Sequence, residues 1–258
     1  MDTQQQDQLI QQQFTQEPPH DVIDLPSKGV FYPDNISTAK IYHLTAADES
    51  LLTAPNLVKS GNLIDELLKR KVKLEGNMQV EDLLTGDRLA ILLLLRATFE
   101  PVYRIQLTDP ANNSVFIHDF ELTSLKEKPL TIKPDEKGEF SHFLERSKKN
   151  IKFRLLTGKD EKEIRIRDRQ QMEMYKTDVS NSGLITLERQ IMELEGDRDK
   201  GKIANFIRTM PLSDARALRK YVNDITPTID TKIKVPAPSG NMIDTFLPIT
   251  AEFFFPTL

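Results

Sequence analysis

Four histidines, two pairs of adjacent acids and a repeated Leu-Leu-Thr-Gly tetrapeptide are the residues of this chain whose types could do chemistry. His20, His43, His118 and His142 are scattered, and none has the two-His, four-apart spacing with an acid that holds zinc on a helix. His118 and Asp119 are adjacent in an alternating stretch, so a strand would turn them to opposite faces. Asp48-Glu49 and Asp160-Glu161 have the look of paired carboxylates for acid–base work. Each pair begins three residues after a threonine, Thr45 and Thr157, so the first turn of a helix accounts for both. The tetrapeptides at Leu83 and Leu155 lack the spacing and the Lys-Ser/Thr of a phosphate loop. These residues predict no enzyme, no cofactor, no metal and no small-molecule substrate.

The bulk properties narrow the partners. The chain has 258 residues, a net charge of −4 and no cysteine. Without cysteine there is no disulfide, thiolate metal site or cysteine nucleophile. Basic runs such as Lys69-Arg70-Lys71 and Arg165-Ile166-Arg167 sit beside acids without interleaved aromatics, so no nucleic-acid partner is expected. The apolar run from Leu89 to Leu95 is far short of the roughly 20 residues of a membrane span, so no membrane is expected either. Met1–Gln16 carries eight glutamines where a signal peptide would be apolar, which predicts a soluble chain made in the cytoplasm.

The element expected to organise the rest is GDRLAILLLLR, Gly86 to Arg96. A helix that is apolar all round is buried, so Asp87–Thr98 is expected at the centre, with Thr85 as its capping hydroxyl. Before it come a strand at 36–44, a capped helix to about Leu52, and a helix from Asn62 with Leu63, Ile64, Leu67, Leu68 and Val72 on one face. After it, Tyr103, Ile105 and Leu107 alternate with polar residues, and Val115 to Leu122 runs back across a DPANN turn: a hairpin. The second half offers strands at 140–144 and 151–155, a charged helix over 161–178, an amphipathic helix through Leu184, Leu187, Ile191 and Leu194, and helices at 204–207 and 213–225. A closing hairpin from Ile233 ends the chain in Phe253-Phe254-Phe255-Pro256.

The two halves share landmarks in one order. IYHLTAADE from Ile41 matches FRLLTGKDE from Phe153, the helix entered at Asp87 matches the one entered at Asp214, and IQLTDPANN from Ile105 matches IKVPAPSGN from Ile233. The expected fold is α+β: two related helix-plus-β-hairpin repeats packed around the buried apolar helix Asp87–Thr98. The expected divisions are a Gln-rich flexible arm at 1–24, a first repeat at 25–125, a linker and strand at 126–150, and a second repeat at 151–258. The arm is poor in apolar residues and reads as a disordered tail; the alternative is an arm that orders on a partner through Leu9, Ile10 and Phe14.

With LPSKGVFYP, LTAADESLLT, SGNLIDELLK, LLTGDRLAILLLLR and the closing FFFP in view, the chain resembles the baseplate-protein family of contractile-tailed, T-even-type bacteriophages. The resemblance runs from about Leu25 to Pro256 and centres on the hub and hub-assembly members. It implies a non-enzymatic structural component of the tail baseplate, made in the host cytoplasm and built into the virion. The alternative it implies is an assembly chaperone of the hub that is not retained in the particle. Its partners would be other baseplate and tail proteins, met through Leu9, Ile10 and Phe14 of the arm and an apolar edge at Phe253, Phe254 and Phe255. In relatives the two hairpin turns resemble Cys-Pro-x-Cys-Gly zinc knuckles. Here they read Asp109-Pro110-Ala111-Asn112-Asn113 and Pro236-Ala237-Pro238-Ser239-Gly240, so zinc does not carry over and hydrogen bonds are expected to hold the turns.

Overall fold

The computed structural model describes residues 17–249 and 251–254; Leu9, Ile10, Phe14 and Phe255 lie outside them. It is an α+β chain of mixed helix and sheet. The first half contains β1 (His20–Asp24), β2 (Thr38–Tyr42), α1 (Ala46–Leu52), α2 (Pro55–Ser60), α3 (Leu63–Lys71), β3 (Val72–Lys73), α4 (Thr85–Phe99), β4 (Val102–Thr108) and β5 (Val115–Glu121). Then follow β6 (Lys126–Lys128), β7 (Glu139–Leu144), β8 (Lys149–Arg154), α5 (Gly158–Tyr175), α6 (Ser182–Gln190), β9 (Ile191–Leu194), α7 (Lys200–Thr209), α8 (Leu212–Ile225), β10 (Thr228–Asp230), β11 (Lys232–Pro236) and β12 (Met242–Phe246).

Each half has a three-stranded antiparallel sheet whose strands lie in sequence order, β1-β2-β3 and β7-β8-β9. Two expectations change here. The arm predicted to extend to residue 24 gives way to a strand at His20–Asp24, because Val22 pairs with Lys40 and the ladder supplies the hydrogen bonds that the sequence alone does not promise. The amphipathic helix predicted through Leu194 stops at Gln190. Ile191–Leu194 is a strand instead, because pairing with the edge of β8 overrides a helical spacing that is weak after a β-branched residue. Likewise Val72 leaves α3 to pair with Ile41.

The central helix runs over Thr85–Phe99, a little longer than expected, and Thr85 does not cap it. Leu84 holds the cap position without a side-chain bond, and the polar work at this end falls to Asp87. Its carboxylate accepts the Ser27 amide at 2.9 Å and the Tyr32 hydroxyl, which itself accepts the Leu84 amide at 2.8 Å. These bonds tie the loop LPSKGVFYP to the start of the helix. The loop closes through Gly29, at φ +77°, where any Cβ would collide with the Asn35 carbonyl. Ile91, Leu93 and Leu95 are buried, as are Arg88 and Arg96, whereas Leu89 and Leu94 are only half-buried and Phe99 is exposed. The all-round burial expected of this run therefore has gaps, and the gap at Leu89 opens on the cleft described below.

A matching arrangement occurs at α8. Asp214, in its first turn, accepts the amides of Arg146 and Ser147 at 2.9 and 2.8 Å and the Ser147 hydroxyl at 2.5 Å. In both halves an acid at a helix start thus fastens the loop between the first two strands of the sheet. The halves also exchange segments. Lys126–Lys128, expected as linker, forms β6 and pairs with β10 in the second half. The segment after β12 returns to the first half, where Phe253 lies against Tyr103 with ring centroids 4.9 Å apart.

Candidate interaction site at the seam between the halves

The two Leu-Leu-Thr-Gly tetrapeptides are bonded to each other. The Thr85 amide donates to the Leu156 carbonyl and the Gly158 amide to the Leu83 carbonyl, each at 3.0 Å, with Leu84 and Thr157 as bridge partners. This short antiparallel joint starts α4 and α5 side by side. Gly86 is required there, since a Cβ would collide with the Pro227 carbonyl that closes over the helix start. Two positive helix ends in one place favour nearby carboxylates, which Asp87, Asp160 and Glu161 supply. Asp160 makes a capping box with Thr157, and Asp48 pairs with the Thr45 amide at 2.8 Å in the same way. Arg154 clamps Asp160 with two bonds of 2.6 and 2.7 Å.

A buried ion cluster lies behind the joint. Arg88, 3% exposed, donates to one oxygen of Asp65 at 2.6 Å, and Arg165 donates to the other at 2.7 Å. Arg88 also reaches the Val80 carbonyl at 3.3 Å and stands 3.6 Å from Glu161. Glu161 faces an open cleft and keeps 46% of its side chain exposed. Desolvation by the cleft wall still pushes its carboxyl above the usual range, against the pull of Arg88. Both arginines come from helices of different halves, so Asp65 is a pin between them.

The cleft has a volume of about 960 Å³. Its apolar lining includes Ile64, Leu89, Leu92, Ile164, Phe246 and Ile249, and its polar rim is rich in hydroxyls and amides, among them Ser182, Thr186, Gln190 and Asn223. That volume is at the upper end for ligand pockets. The hydroxyls that line it have no histidine beside them, and Asp65 is committed to two arginines. What the cleft offers is apolar area bordered by hydroxyls, amides and charged groups of both signs, among them Lys128, Glu161, Asp168 and Arg219, which suits a peptide segment.

The sequence-expected residues are placed as follows. His20 bonds the Pro18 carbonyl, His43 stands 2.9 Å from Asp21, His118 lies on β5, and His142 stacks on Tyr221, where burial lowers its pKa. They do not converge, and no group of three metal-ligating side chains occurs among the described residues. No helix of the described residues is long and apolar enough to cross a membrane.

Phe253 and Phe254, expected as an exposed partner edge, are buried in their own chain, at 0% and 2% exposure. The cause is Arg96, itself buried at the far end of α4. Its Nε donates to the Phe253 carbonyl at 2.9 Å, its other nitrogens bond Glu100, and its guanidinium lies over the rings of Phe99, Tyr103 and Phe253. Packing against these partners removes the aromatic pair from the surface. The hairpin turns do meet: Ser239 donates to Asp109 from its amide and its hydroxyl.

Asp65 and Arg88 are not singled out by any sequence pattern, and Glu161 and Arg165, which read there as a helix-start acid and part of a basic run, are not expected to meet them. The one available signal was the doubled tetrapeptide. Comparison of the chain with protein-family models, curated proteins and solved structures finds no match.

Proposed function

We propose that this chain is a non-enzymatic structural component of the hub region of a phage tail baseplate, acting through contacts with other tail proteins. The observation that carries the reading is apolar surface presented by regular elements. Val115 and Ile117 stand exposed on β5, Met242 on β12, and Met174 and Tyr175 at the end of α5. Large exposed apolar side chains grouped on firm elements suit protein docking. The resemblance of LPSKGVFYP and LLTGDRLAILLLLR to baseplate proteins supplies the kind of partner, and both stretches carry the contacts that set the central helix. The test is co-expression with the tail proteins of the same phage. Val115→Asp and Ile117→Asp should weaken capture by a tail protein without lowering the melting temperature. Unchanged capture by every such protein sinks the reading.

The two halves are read as copies of one unit. In support, both run strand, strand, helices, strand, then a helix and a hairpin, with helix α7 and short strand β10 added in the second half, and each places an acid, Asp87 or Asp214, against the loop between its first two strands. A superposition of the halves that fails to bring these two acids together would contradict this.

A further inference from the structure

The cleft at the seam is incompletely used by the residues around it. Phe246 stands at its mouth with 67% of its surface exposed, and Ile64, Leu89 and Ile249 on its walls are only half-buried. Covering such surface stabilises a chain by about 25 cal/mol per Å² of apolar area. The occupant therefore has to bring apolar side chains to the floor and, to a rim that carries Lys128, Glu161, Asp168 and Arg219, groups that both donate and accept hydrogen bonds, as glutamine amides do.

Residues 1–16 have that composition. Beyond Met1, their large apolar residues are Leu9, Ile10 and Phe14, and eight of the sixteen are glutamines. Their point of attachment is fixed. The Glu17 carboxylate accepts Lys40 Nζ at 2.9 Å and the Tyr42 hydroxyl at 2.8 Å, and Pro18 and Pro19 border a groove shared with Arg70 and Lys71 at the end of α3. The other end of α3 presents Ile64 and Asp65 to the cleft. At 1.5 Å per residue the helix carries the cleft wall to within about 10 Å of that groove. A segment of this length spans roughly 24 Å even if helical and about twice that when extended, so it reaches.

We propose that residues 1–16 dock in this cleft of their own chain, with Leu9, Ile10 and Phe14 on its apolar floor and glutamines against its rim. The occupant is the chain's own segment, whichever assembly the protein serves.

The absence of cysteine makes the test clean. Asp7→Cys on the segment and Lys220→Cys, exposed on α8 and outside the cleft lining, are introduced together and spin-labelled, and the distance is measured by pulsed electron resonance in the full chain. The expected result is a short, narrow distribution that persists when labelled protein is diluted with unlabelled protein and broadens on Phe14→Asp. A broad distribution that Phe14→Asp leaves unchanged overturns the proposal. So does a short distance that disappears on dilution, because the arm would then be serving a second copy.

Discussion

Ser239, at the tip of the second hairpin, donates its amide at 3.0 Å and its hydroxyl at 2.8 Å to the fully buried Asp109 at the tip of the first. The same carboxylate accepts the Ala111 amide at 2.9 Å. One acid thus closes its own turn and fastens the other, and these bonds hold its carboxyl below the usual range, the Ala111 amide foremost. The cysteine-free turns are tied by hydrogen bonds across 130 residues of sequence.

Asp109→Ala leaves the amides of Ala111 and Ser239 without that partner. Ala111 and Ser239 are exposed, so water takes up part of the loss, and each bond is worth about 0.5–1.5 kcal/mol net. Hydrogen exchange should speed up in both β4–β5 and β11–β12, although only one hairpin is mutated. Faster exchange confined to the first hairpin would show that the tips do not support each other.

The pin at Asp65 gives a second expectation. Asp65→Asn leaves Arg88 buried with a weakened partner, and breaking a buried ion pair from one side costs about 3–5 kcal/mol. Replacing both residues, with Asp65→Leu and Arg88→Met, should recover much of the loss. Chemical denaturation of the two variants checks this. A double variant as unstable as the single one would mean that the ions, and not the burial of an unpaired charge, hold the seam.

For the central helix, Leu95→Ala should cost about 2–5 kcal/mol, because Leu95 is fully enclosed and the cavity cannot collapse. Leu92→Ala should cost less once Phe14→Asp has released residues 1–16, since Leu92 borders the cleft and the loss then opens into existing space. Equal losses in urea melts would mean that the cleft is filled around Leu92.

Acid stability follows from opposed shifts. Lys152 at 2.9 Å, then the amides of Glu139 and Lys137, hold the Asp135 carboxyl down to about 2. Its folded pKa is below its unfolded one, so its contribution is present at neutral pH and lost as pH falls from about 4 towards that value. Asp135→Asn should be less stable at neutral pH, with the difference vanishing in that window. Glu161 has the reverse sign, since desolvation raises it. Glu161→Gln should be more stable at neutral pH, and acid should erase the gain. Melting curves across pH 2 to pH 7 that show the same sign for both variants would contradict these assignments.

What was legible in the sequence was local. Thr45 to Asp48 and Thr157 to Asp160 could be read as helix starts because both partners of each capping box lie within one turn. Ile105 and Val115 gave away a hairpin by alternation and a turn between them. The seam was not legible, because Leu84 meets Thr157 from a distant part of the chain and Asp65 meets Arg165 across 100 residues, and no local pattern encodes which distant backbone or charge will be the partner. The same holds at the end of the chain. Phe253 reads as a sticky edge until Arg96, buried at the far end of another helix, is known to receive it.

We propose a place in a phage tail baseplate, and the measurement to make is quantitative mass spectrometry of purified tailed-phage particles produced from a genome that carries this gene. The expected result is the protein in the particle at a fixed ratio to the other baseplate proteins, retained through a salt wash. A protein plentiful in infected cells and missing from the particle would contradict it and would leave the assembly chaperone in its place.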